Sequence, residues 1–369
     1  MADKSSSDEA RPLRLVAVGD LLLAAGPRGG TCDRGPAGIF AGVADVLGAG
    51  DVVLGNLECT LPGSGATVET EPRVISTPQL VRQIAAAGFT VVSLANNHMF
   101  DCLADGFDRL RDLLDEIGVA HFGAGDDLDQ AAAPVIIEAK GIRLAFLGVA
   151  DHRSGTPFFA APGRWGVAPL DLDRLASQIQ ELRDEVDHVI VSPHWGEERF
   201  LIPSPEQVDQ ARRLIDAGAS MVLGHHPHVL QGLEFRNGRP IIYSLGNFVA
   251  TDVSYTGGDA IRWNRTERTG CILTASLSPR SVTEVRQSAT YDDGVTVRPD
   301  ASGFGRRRIA KVNRAVRDGV TLARYRREHR WVKTLKPILA HLRWSQLKRF
   351  RLGQVKKAFG LLLGSRRAR

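Results

Sequence analysis

The sequence contains no long apolar run. Nowhere in its 369 residues is there a stretch that approaches the roughly 18 consecutive apolar residues of a membrane-spanning helix. The polar, mixed-charge start of the chain also lacks the apolar segment of a secretory signal. We therefore expect residues 1–12 to be disordered and the protein to be cytoplasmic, either free or peripheral at a membrane.

Cysteine is scarce, and no two cysteines form a C-x-x-C pair. The four that occur are scattered along the chain: Cys32, Cys59, Cys102 and Cys271. This spacing favours reduced thiols over a disulfide framework. Internal repeats, low-complexity segments and recognised nucleic-acid-binding modules are also absent from the sequence, which argues against a repeat architecture and a specific nucleic-acid partner.

Charge is unevenly distributed. Residues 303–369 contain 21 Lys and Arg against two acidic residues, a balance of +19, so the rest of the chain carries −14 of the overall +5. We therefore expect a globular domain over residues 13–303, followed by a basic, helical tail over residues 304–369. We favour binding of this tail to an anionic membrane surface. The alternatives are binding to an acidic polymer or nucleic acid, and a solvated helical extension without a partner.

Seven short apolar runs predict buried β-strands, because their hydrophobicity is continuous and not alternating. They are Leu13–Val18, Asp51–Leu57, Thr90–Ala95, Ile142–Ala150, His188–Ser192, Met221–Gly224 and Ile241–Leu245. Helical stretches lie between several of them, including Pro78–Gly88, Leu103–Gly118 and Pro205–Ala219. This alternation predicts a layered α/β fold.

Most of these runs end in side chains that can bind metal or move protons. The candidates are Asp20, Glu58, Asn97, His98, His194, His225, His226 and His228. Ligands of open α/β sheets bind beyond the carboxyl ends of the strands, so we expect these side chains to share one pocket. Taken singly, a turn residue or a hydrogen-bonded core histidine explains most of them. Their joint placement favours a functional site.

The residue types in this set indicate metal chemistry. Carboxylates, amide oxygens and imidazoles are ligands of Mn, Fe, Co and Zn. A carboxylate can bridge two such ions, and a pair of ions clamps the attacking and leaving oxygens in phosphoester chemistry. Residues i and i+2 of a strand share a face, so His226 and His228 reach one centre if strand geometry persists between them.

Six ordered motifs carry a resemblance to a known family: GD, NLE, SLANNHMFD, HWGEE, GHHPHVLQG and YSLGNF. Together they resemble the CapA family, named for poly-γ-glutamate capsule biosynthesis, which is similar in turn to the calcineurin-like metallophosphoesterases. The match covers about Leu13 to Val249. It implies a four-layer α/β/β/α sandwich with a dinuclear metal centre at one edge. The basic helical C-terminal extension lies outside the match, and the resemblance says nothing about it.

The resemblance also implies roles for individual residues. The implied metal ligands are Asp20, Glu58, Asn97, His194, His226 and His228, which would hold one or two divalent ions of Mn, Fe or Zn. His98 matches the histidine that contacts substrate and protonates the leaving group. Asp101, one helical turn further on, is then expected to orient His98.

Three departures from the phosphoesterase pattern bear on the number of ions. The first motif is Asp-x-His in that superfamily, but Leu22 stands where the histidine is expected. Glu58 replaces the bridging Asp, and Asp101 lies further from the histidine than in the superfamily. One tightly held ion with a weak second site is therefore as compatible as two, and Glu197, Glu198 or His225 could supply a missing ligand.

The expected function is a CapA-type, metal-dependent hydrolase or transferase. The resemblance implies a phosphoester or an amide of an anionic cell-surface polymer, such as poly-γ-glutamate, as its substrate. The alternative is a non-catalytic, metal-binding or scaffolding partner of a membrane-associated polymer synthase.

Overall fold

The computed structural model describes residues 12–25, 38–279 and 281–336. The prediction of a disordered N-terminus falls, apart from residue 12, outside these described residues. The chain forms two compact units that divide after Leu322. The first unit contains two large sheets and holds all of the candidate site residues.

The larger sheet has eight strands and surrounds the first strand of the chain. In space the order is β18-β17-β16-β1-β2-β3-β4, and β13 pairs with the carboxyl-terminal part of β1. The strands are β1 (Leu13–Leu22), β2 (Val52–Leu57), β3 (Val91–Ser93), β4 (Ala120–Phe122), β13 (Asn247–Ala250), β16 (Thr269–Ser278), β17 (Ser281–Asp292) and β18 (Val297–Pro299). Strands β1 to β4 and β13 run parallel, whereas β16 to β18 form antiparallel neighbours.

The second sheet has six strands in the order β11-β12-β10-β9-β7-β6. They are β6 (Val135–Ala139), β7 (Ile142–Ala150), β9 (His188–His194), β10 (Met221–Leu223), β11 (Leu233–Arg236) and β12 (Arg239–Ile242). Two small ribbons pair β5 (Ala124–Gly125) with β8 (Gly166–Val167) and β14 (Val253–Ser254) with β15 (Ala260–Ile261).

The described residues form the helices α1 (Ala44–Gly48), α2 (Pro78–Ala86), α3 (Leu103–Glu116), α4 (Leu128–Ala132), α5 (Leu172–Leu182), α6 (Pro205–Ala217), α7 (Phe304–Arg317) and α8 (Leu322–Arg330). Helices α2 and α3 pack on the larger sheet, and α5 and α6 pack on the second sheet. Ser204 caps α6 through a reciprocal bond with Gln207, which fixes where that helix begins.

The alternation of side chains along β1 shows how the layers stack. Leu13, Leu15 and Ala17 face the second sheet and pack in the core between the sheets. Val16 and Val18 face the opposite way, into the core beneath α2 and α3. The order of layers is therefore helix, sheet, sheet, helix, and the predicted four-layer α/β/β/α sandwich is confirmed.

All seven predicted strands and all three quoted helices are present in the structure. The long hairpin of β16 and β17 was not predicted from the sequence. Much of β17 is exposed or half-buried, so it lacks the continuous apolar run by which the other strands were found.

The first helix of the basic segment lies within the first unit. On α7, Val312, Ala315 and Val316 are buried. The second unit contains α8, which has no buried residue. The rest of the predicted helical tail, from residue 337, lies outside the described residues. Among the described helices, none combines the length and apolar character needed to cross a membrane.

The carboxyl end of β1 is held by a close backbone approach. A Cβ atom at Gly19 would lie 1.8 Å from the carbonyl oxygen of Gly246. That same oxygen accepts a hydrogen bond from the N–H of Asp20 at 3.0 Å. The absence of a side chain at Gly19 is therefore what brings Asp20 against β13.

We predict that Gly19→Ala lowers the free energy of unfolding by about 2–3 kcal/mol, because backbone atoms on both sides would have to move apart. Chemical denaturation measures this change. Gly48→Ala is the matched control, since a Cβ there meets nothing within 4 Å. Its stability should stay the same or rise by up to about 1 kcal/mol. Equal stability of the two variants would contradict the prediction.

Candidate metal centre

The candidate side chains lie where the parallel strands of both sheets end. Asp20, on β1, is in register with Asn56 of β2 on one side and Asn247 of β13 on the other. From the second sheet, His194 ends β9, and His225 follows β10. The structure thus brings the ends of both sheets to one buried place, as the sequence predicts.

Glu58 lies at the centre of this place and is fully buried. Neither of its carboxylate oxygens has a hydrogen-bond partner within the described part of the chain. Its Oε1 lies 3.7 Å from Nε2 of His194 and 3.8 Å from Nε2 of His228. Burial raises the pKa of Glu58 to about 8. Burying a carboxyl group without a partner costs folding free energy, so we expect a cation to bind beside Glu58.

Two groups of potential ligands share Glu58. One consists of Asp20, Glu58 and His228, and the other of Glu58, His194 and His226. In each group, one ligand atom from every residue lies within 4.8 Å of the other two. A carboxylate common to two such groups has the arrangement of a ligand that bridges two ions.

Asp20 is surrounded by histidines. Its Oδ1 is 3.3 Å from Nδ1 of His225, and its Oδ2 is 3.5 Å from Nδ1 of His228. Burial raises the pKa of Asp20, but these two imidazoles outweigh burial and hold the pKa well below its usual value. The Asp20 carboxylate is therefore negatively charged, as a metal ligand must be.

His226 and His228 do not follow strand geometry, so the condition under which they were expected to reach one centre along a strand is not met. Strand β10 ends at Leu223, and the two histidines have φ angles of 93° and 56°. These left-handed conformations are strained for residues other than glycine. Their effect is to turn His226 towards one group of ligands and His228 towards the other.

Three of the site histidines differ in their electrostatic surroundings. Burial, followed by the charge of His228, lowers the pKa of His226 to about 4. Burial also lowers the pKa of His228, but Glu58 and Asp20 outweigh it and raise that pKa to about 10. For His194, burial and the neighbouring His226 hold the pKa well below its usual value. His226 and His194 are thus neutral near pH 7, the form in which imidazole binds metal.

Asn97 and His194 are in direct contact. Nε2 of His194 lies 2.7 Å from Oδ1 of Asn97, and Nδ1 of His226 lies 3.1 Å from the same His194 nitrogen. Asn97 is half-buried, whereas the two histidines are buried. The structure therefore adds the amide of Asn97 to the group formed by Glu58, His194 and His226.

His98 and Asp101 form a hydrogen-bonded pair beside the metal ligands. Nδ1 of His98 lies 2.8 Å from Oδ2 of Asp101, which also accepts the N–H of Val74 at 2.7 Å. Burial lowers the pKa of His98, but Asp101 outweighs burial and raises it. The pair has the geometry expected of an oriented imidazole, and the catalytic role of both residues stays a prediction.

The structure also bears on the residues left open for a missing ligand. Leu22 is buried in the apolar core beside the outer helices, so it offers nothing to an ion. Glu198 lies at the exposed rim, where the charges of His228 and His226 outweigh desolvation and lower its pKa. Glu197, beside it, is half-buried. His225 is 1% exposed and lies against Asp20.

Two asparagines of the site were not predicted from the sequence. The Asn56 amide donates to Oδ1 of Asp20 at 2.9 Å and lies 3.3 Å from Nδ1 of His194. Oδ1 of Asn247 lies 2.9 Å from Nδ1 of His228. The signal for Asn56 was its position two residues before Glu58, which gives both side chains the same face of the chain if the strand continues.

The assembled residues fit a pair of divalent ions. They provide two carboxylates, one amide oxygen and at least three imidazoles, which is the donor set of Mn, Fe and Zn sites. The unpartnered oxygens of Glu58 lie between both groups, where two cations would satisfy them. The site thus has the ligands of a metal centre and a buried carboxylate that bound cations would stabilise.

Comparison with known proteins identifies the family. The family described as bacterial capsule synthesis protein PGA_cap matches residues 14–252, which is more than half of the chain. The chain belongs to this family. The predicted resemblance to CapA proteins is therefore confirmed, and all six proposed metal ligands fall within the matched PGA_cap segment.

Two relatives among curated proteins come from bacilli. The PGA biosynthesis protein CapA of Bacillus subtilis (strain 168) is 34% identical over 238 residues, which are 63% of this chain and 62% of that protein. The capsule biosynthesis protein CapA of Bacillus anthracis is 32% identical over 249 residues, 65% of this chain and 60% of that protein. The chain thus spans less than two thirds of the length of these relatives.

Among solved structures, the NAD nucleotidase NadN of Haemophilus influenzae resembles this chain with a TM-score of 0.43 and 12% identity. The similarity covers 89% of this chain and 61% of that one. At this level it adds nothing to the fold, which follows from the two sheets and their outer helices.

We predict opposite effects of Glu58→Gln with and without metal. In metal-free protein the variant should be more stable than wild type by about 1–2 kcal/mol, because an unpartnered buried carboxyl is replaced by a neutral amide. With Mn²⁺ at 100 times its dissociation constant, wild type should gain about 2.7 kcal/mol and the variant little. Thermal unfolding with and without a chelator measures both effects.

Glu138→Gln is the control for this experiment, since Glu138 is exposed on β6. It should change stability in neither condition. A Glu58→Gln protein that gains as much stability from Mn²⁺ as wild type would contradict the bridging role.

Proposed function

We propose that the protein is a metal-dependent hydrolase or transferase that acts on an anionic cell-surface polymer such as poly-γ-glutamate during capsule synthesis. The bond attacked is a phosphoester or an amide. One observation carries the proposal: within the described residues the buried carboxylate of Glu58 has no hydrogen-bond partner, and it is common to two groups of ligands. The names of the bacillar relatives, which concern PGA and capsule biosynthesis, support the choice of polymer.

The proposed ligands divide between two ions. Asp20, Glu58 and His228 would hold one divalent ion, and Glu58, Asn97, His194 and His226 the other. When bound, Mn, Fe or Zn ions supply an activated water and stabilise the negative charge that develops on the scissile group. The asparagine amide of Asn56 orients Asp20, and Asn247 orients His228, through the contacts described above.

His98 is proposed to protonate the leaving group. Its Nδ1 is engaged by Asp101, so Nε2 is the atom that can donate a proton to substrate. Asp101 is itself fixed by the N–H of Val74, so it orients the imidazole and favours its protonated form. Asp101 is therefore a positioning residue and His98 the proposed general acid.

A cationic stripe on α7 supports a polymeric anion as the substrate. The stripe consists of Arg306, Arg307, Lys311, Arg314 and Arg317, all exposed. At 3.6 residues per turn they fall within about 140° of the helix circumference. None of the five forms an ion pair with an acidic residue among the described residues, and α7 itself contains no acid. A row of unpaired cations suits a chain of repeated carboxylates.

The stripe begins beside the loop of residues 262–268, which joins β15 to β16 and contacts His228. The guanidinium of Arg265 lies 4.5 Å from the ring centroid of Phe304, the first residue of α7. In the same loop, the ring of Trp263 lies 5.2 Å from that of His228. A polymer bound along α7 would therefore pass close to the proposed site. Binding of the basic segment to anionic lipid, which falls largely on residues 337–369, stays a prediction.

We predict that wild-type protein contains two metal ions per chain and that both Glu58→Ala and His226→Ala contain fewer. Mass spectrometry of the purified proteins measures this. His98→Asn should keep both ions but lose at least about 100-fold in turnover, because it removes proton donation and leaves the ligands in place. Phosphoesters and γ-glutamyl amides are the substrates to screen.

The same measurements test the scaffold alternative. Two ions with no turnover of either substrate class, in wild type as in His98→Asn, would favour a binding or scaffolding role. Absence of metal after reconstitution with Mn, Fe and Zn would refute the metal-dependent enzyme.

A second prediction concerns the stripe. The triple variant Arg307→Gln, Lys311→Gln and Arg314→Gln should bind soluble poly-γ-glutamate about tenfold more weakly at low salt. Its affinity should also depend less on salt, because three screened attractions are lost. Anisotropy of labelled polymer measures both quantities, and metal content should not change.

The matched control removes the same charge elsewhere. Arg109, Arg183 and Arg213 each contact an acidic residue, so replacing all three with Gln should leave polymer affinity nearly unchanged. Equal losses in the two triple variants would mean that the polymer responds to net charge alone. Binding of the wild type to anionic vesicles but not to the polymer would assign the stripe to lipid.

A further inference from the structure

The turn that follows β9 lies against the histidines of the metal centre. The N–H of Arg199 donates to the carbonyl oxygen of Pro227 at 2.8 Å. Pro227 is the residue between His226 and His228. This hydrogen bond therefore holds Arg199, and Glu198 before it, next to two of the proposed metal ligands.

Glu198 lies at the mouth of the site. Its side chain is exposed, yet the surrounding protein partly desolvates its carboxylate, a combination that is typical of the opening of a cleft. This desolvation raises the pKa of Glu198, but the charges of His228 and His226 outweigh it, and His98 acts in the same direction. Glu198 is therefore a carboxylate at neutral pH, within electrostatic reach of the proposed ligands and of the proposed general acid.

Arg199 is also held by the loop of residues 262–268. Its Nε lies 2.9 Å from Oε1 of Glu267, which is buried. This contact is ionic, since Nε has no well-directed hydrogen bond within the described residues. A guanidinium has five N–H donors, and 39% of the Arg199 side chain is exposed. The contact with Glu267 therefore leaves donors for a ligand.

Glu198 and Arg199 carry opposite charges side by side without neutralising each other. Within the described part of the chain, the acidic partner of Arg199 is Glu267 and not Glu198. The two side chains can therefore bind the ammonium and the carboxylate that an α-amino acid carries on one carbon. In a glutamate polymer linked through its γ-carboxyl groups, the amino-terminal residue keeps a free α-ammonium beside its α-carboxylate, whereas every other amino group is in an amide bond.

We propose that Glu198 and Arg199 recognise the amino-terminal residue of the polymer, Glu198 accepting from its α-ammonium and Arg199 donating to its α-carboxylate. The inference rests on the proposed function and names the part of the substrate that enters the site. The loop that holds Arg199 also contains Arg265, which contacts Phe304 at the start of α7. The rest of the polymer would extend along the cationic stripe, with its amino-terminal end at the metal centre.

The alternative is that Arg199 only neutralises the buried Glu267, and that Glu198 is a solvated charge or a ligand of an ion. These roles predict different binding behaviour. A structural ion pair and a solvated carboxylate do not distinguish a free amino terminus from a blocked one, whereas a site for the terminal residue does.

The test is the binding of a γ-linked glutamate pentamer, with either a free or an acetylated amino terminus, to Mn²⁺-loaded protein. The His98→Asn variant serves as the background, so that the ligand is not turned over, and calorimetry measures both dissociation constants. We expect the free pentamer to bind about tenfold more tightly. The cationic stripe would favour the acetylated pentamer, which carries one positive charge fewer, so this preference requires a group that binds the ammonium.

Adding Glu198→Gln to this background should reduce the preference to less than about twofold and leave the metal content unchanged. Glu181→Gln is the matched control, because Glu181 is exposed on α5, and it should keep the preference. A preference that survives Glu198→Gln would overturn the proposal. Loss of an ion from this variant would make Glu198 a metal ligand and overturn it as well.

Arg199→Lys tests the second contact and keeps a positive charge beside Glu267, so that the buried carboxylate is not left alone. This variant should bind both pentamers about fivefold more weakly, because an ammonium lacks the planar fork that fits a carboxylate. Its preference for the free amino terminus should remain. Arg213→Lys, at an exposed residue of α6, is the control. Unchanged affinity in Arg199→Lys would overturn the role of Arg199.

Failure of this inference can be distinguished from failure of the proposed function. Equal binding of the two pentamers would overturn recognition of the amino terminus and leave the polymer as the substrate. Binding of neither pentamer, nor of the long polymer, would refute the polymeric substrate and the inference with it.

Discussion

Glu58 constrains the residues around it, because its fully buried carboxyl group lies where the two sheets meet and has no hydrogen-bond partner in the described part of the chain. Folding alone would not favour such a group, since burial without a partner costs free energy. The surrounding residues supply imidazoles and a second carboxylate, and no Lys or Arg forms an ion pair with Glu58 within the described residues. Divalent cations bound beside Glu58 would supply the positive charge that no Lys or Arg provides. The chemistry of the site therefore follows from the missing cationic partner of Glu58.

The architecture and most of the site could be predicted from the sequence for an identifiable physical reason. Parallel strands covered on both faces must be apolar throughout, so polar residues at their ends stand out against them. Asp20, His194 and His226 were found in this way, and all lie together in the structure. The His98–Asp101 contact could be anticipated because it is local, spanning three residues.

What could not be predicted depends on contacts between distant segments or on unusual backbone. Asn247 faces His228 only because β13 pairs with β1, a register that no local pattern reveals. The left-handed conformations of His226 and His228 break the strand periodicity on which their shared centre was predicted. The hairpin of β16 and β17 was missed because its exposed strand follows no continuous apolar pattern.

The position of β1 has a consequence for how the protein is made. Its carboxyl-terminal half pairs with β2 on one side and with β13, much later in the chain, on the other. Folding slows as contacting residues become more distant in sequence, because long loops must close before their contacts form. During synthesis, Asp20 leaves the ribosome before Asn247, so the β13 side of β1 cannot pair until Asn247 has also emerged. The site is therefore completed late, and a nascent chain presents its acidic and imidazole groups separately before they can hold an ion together.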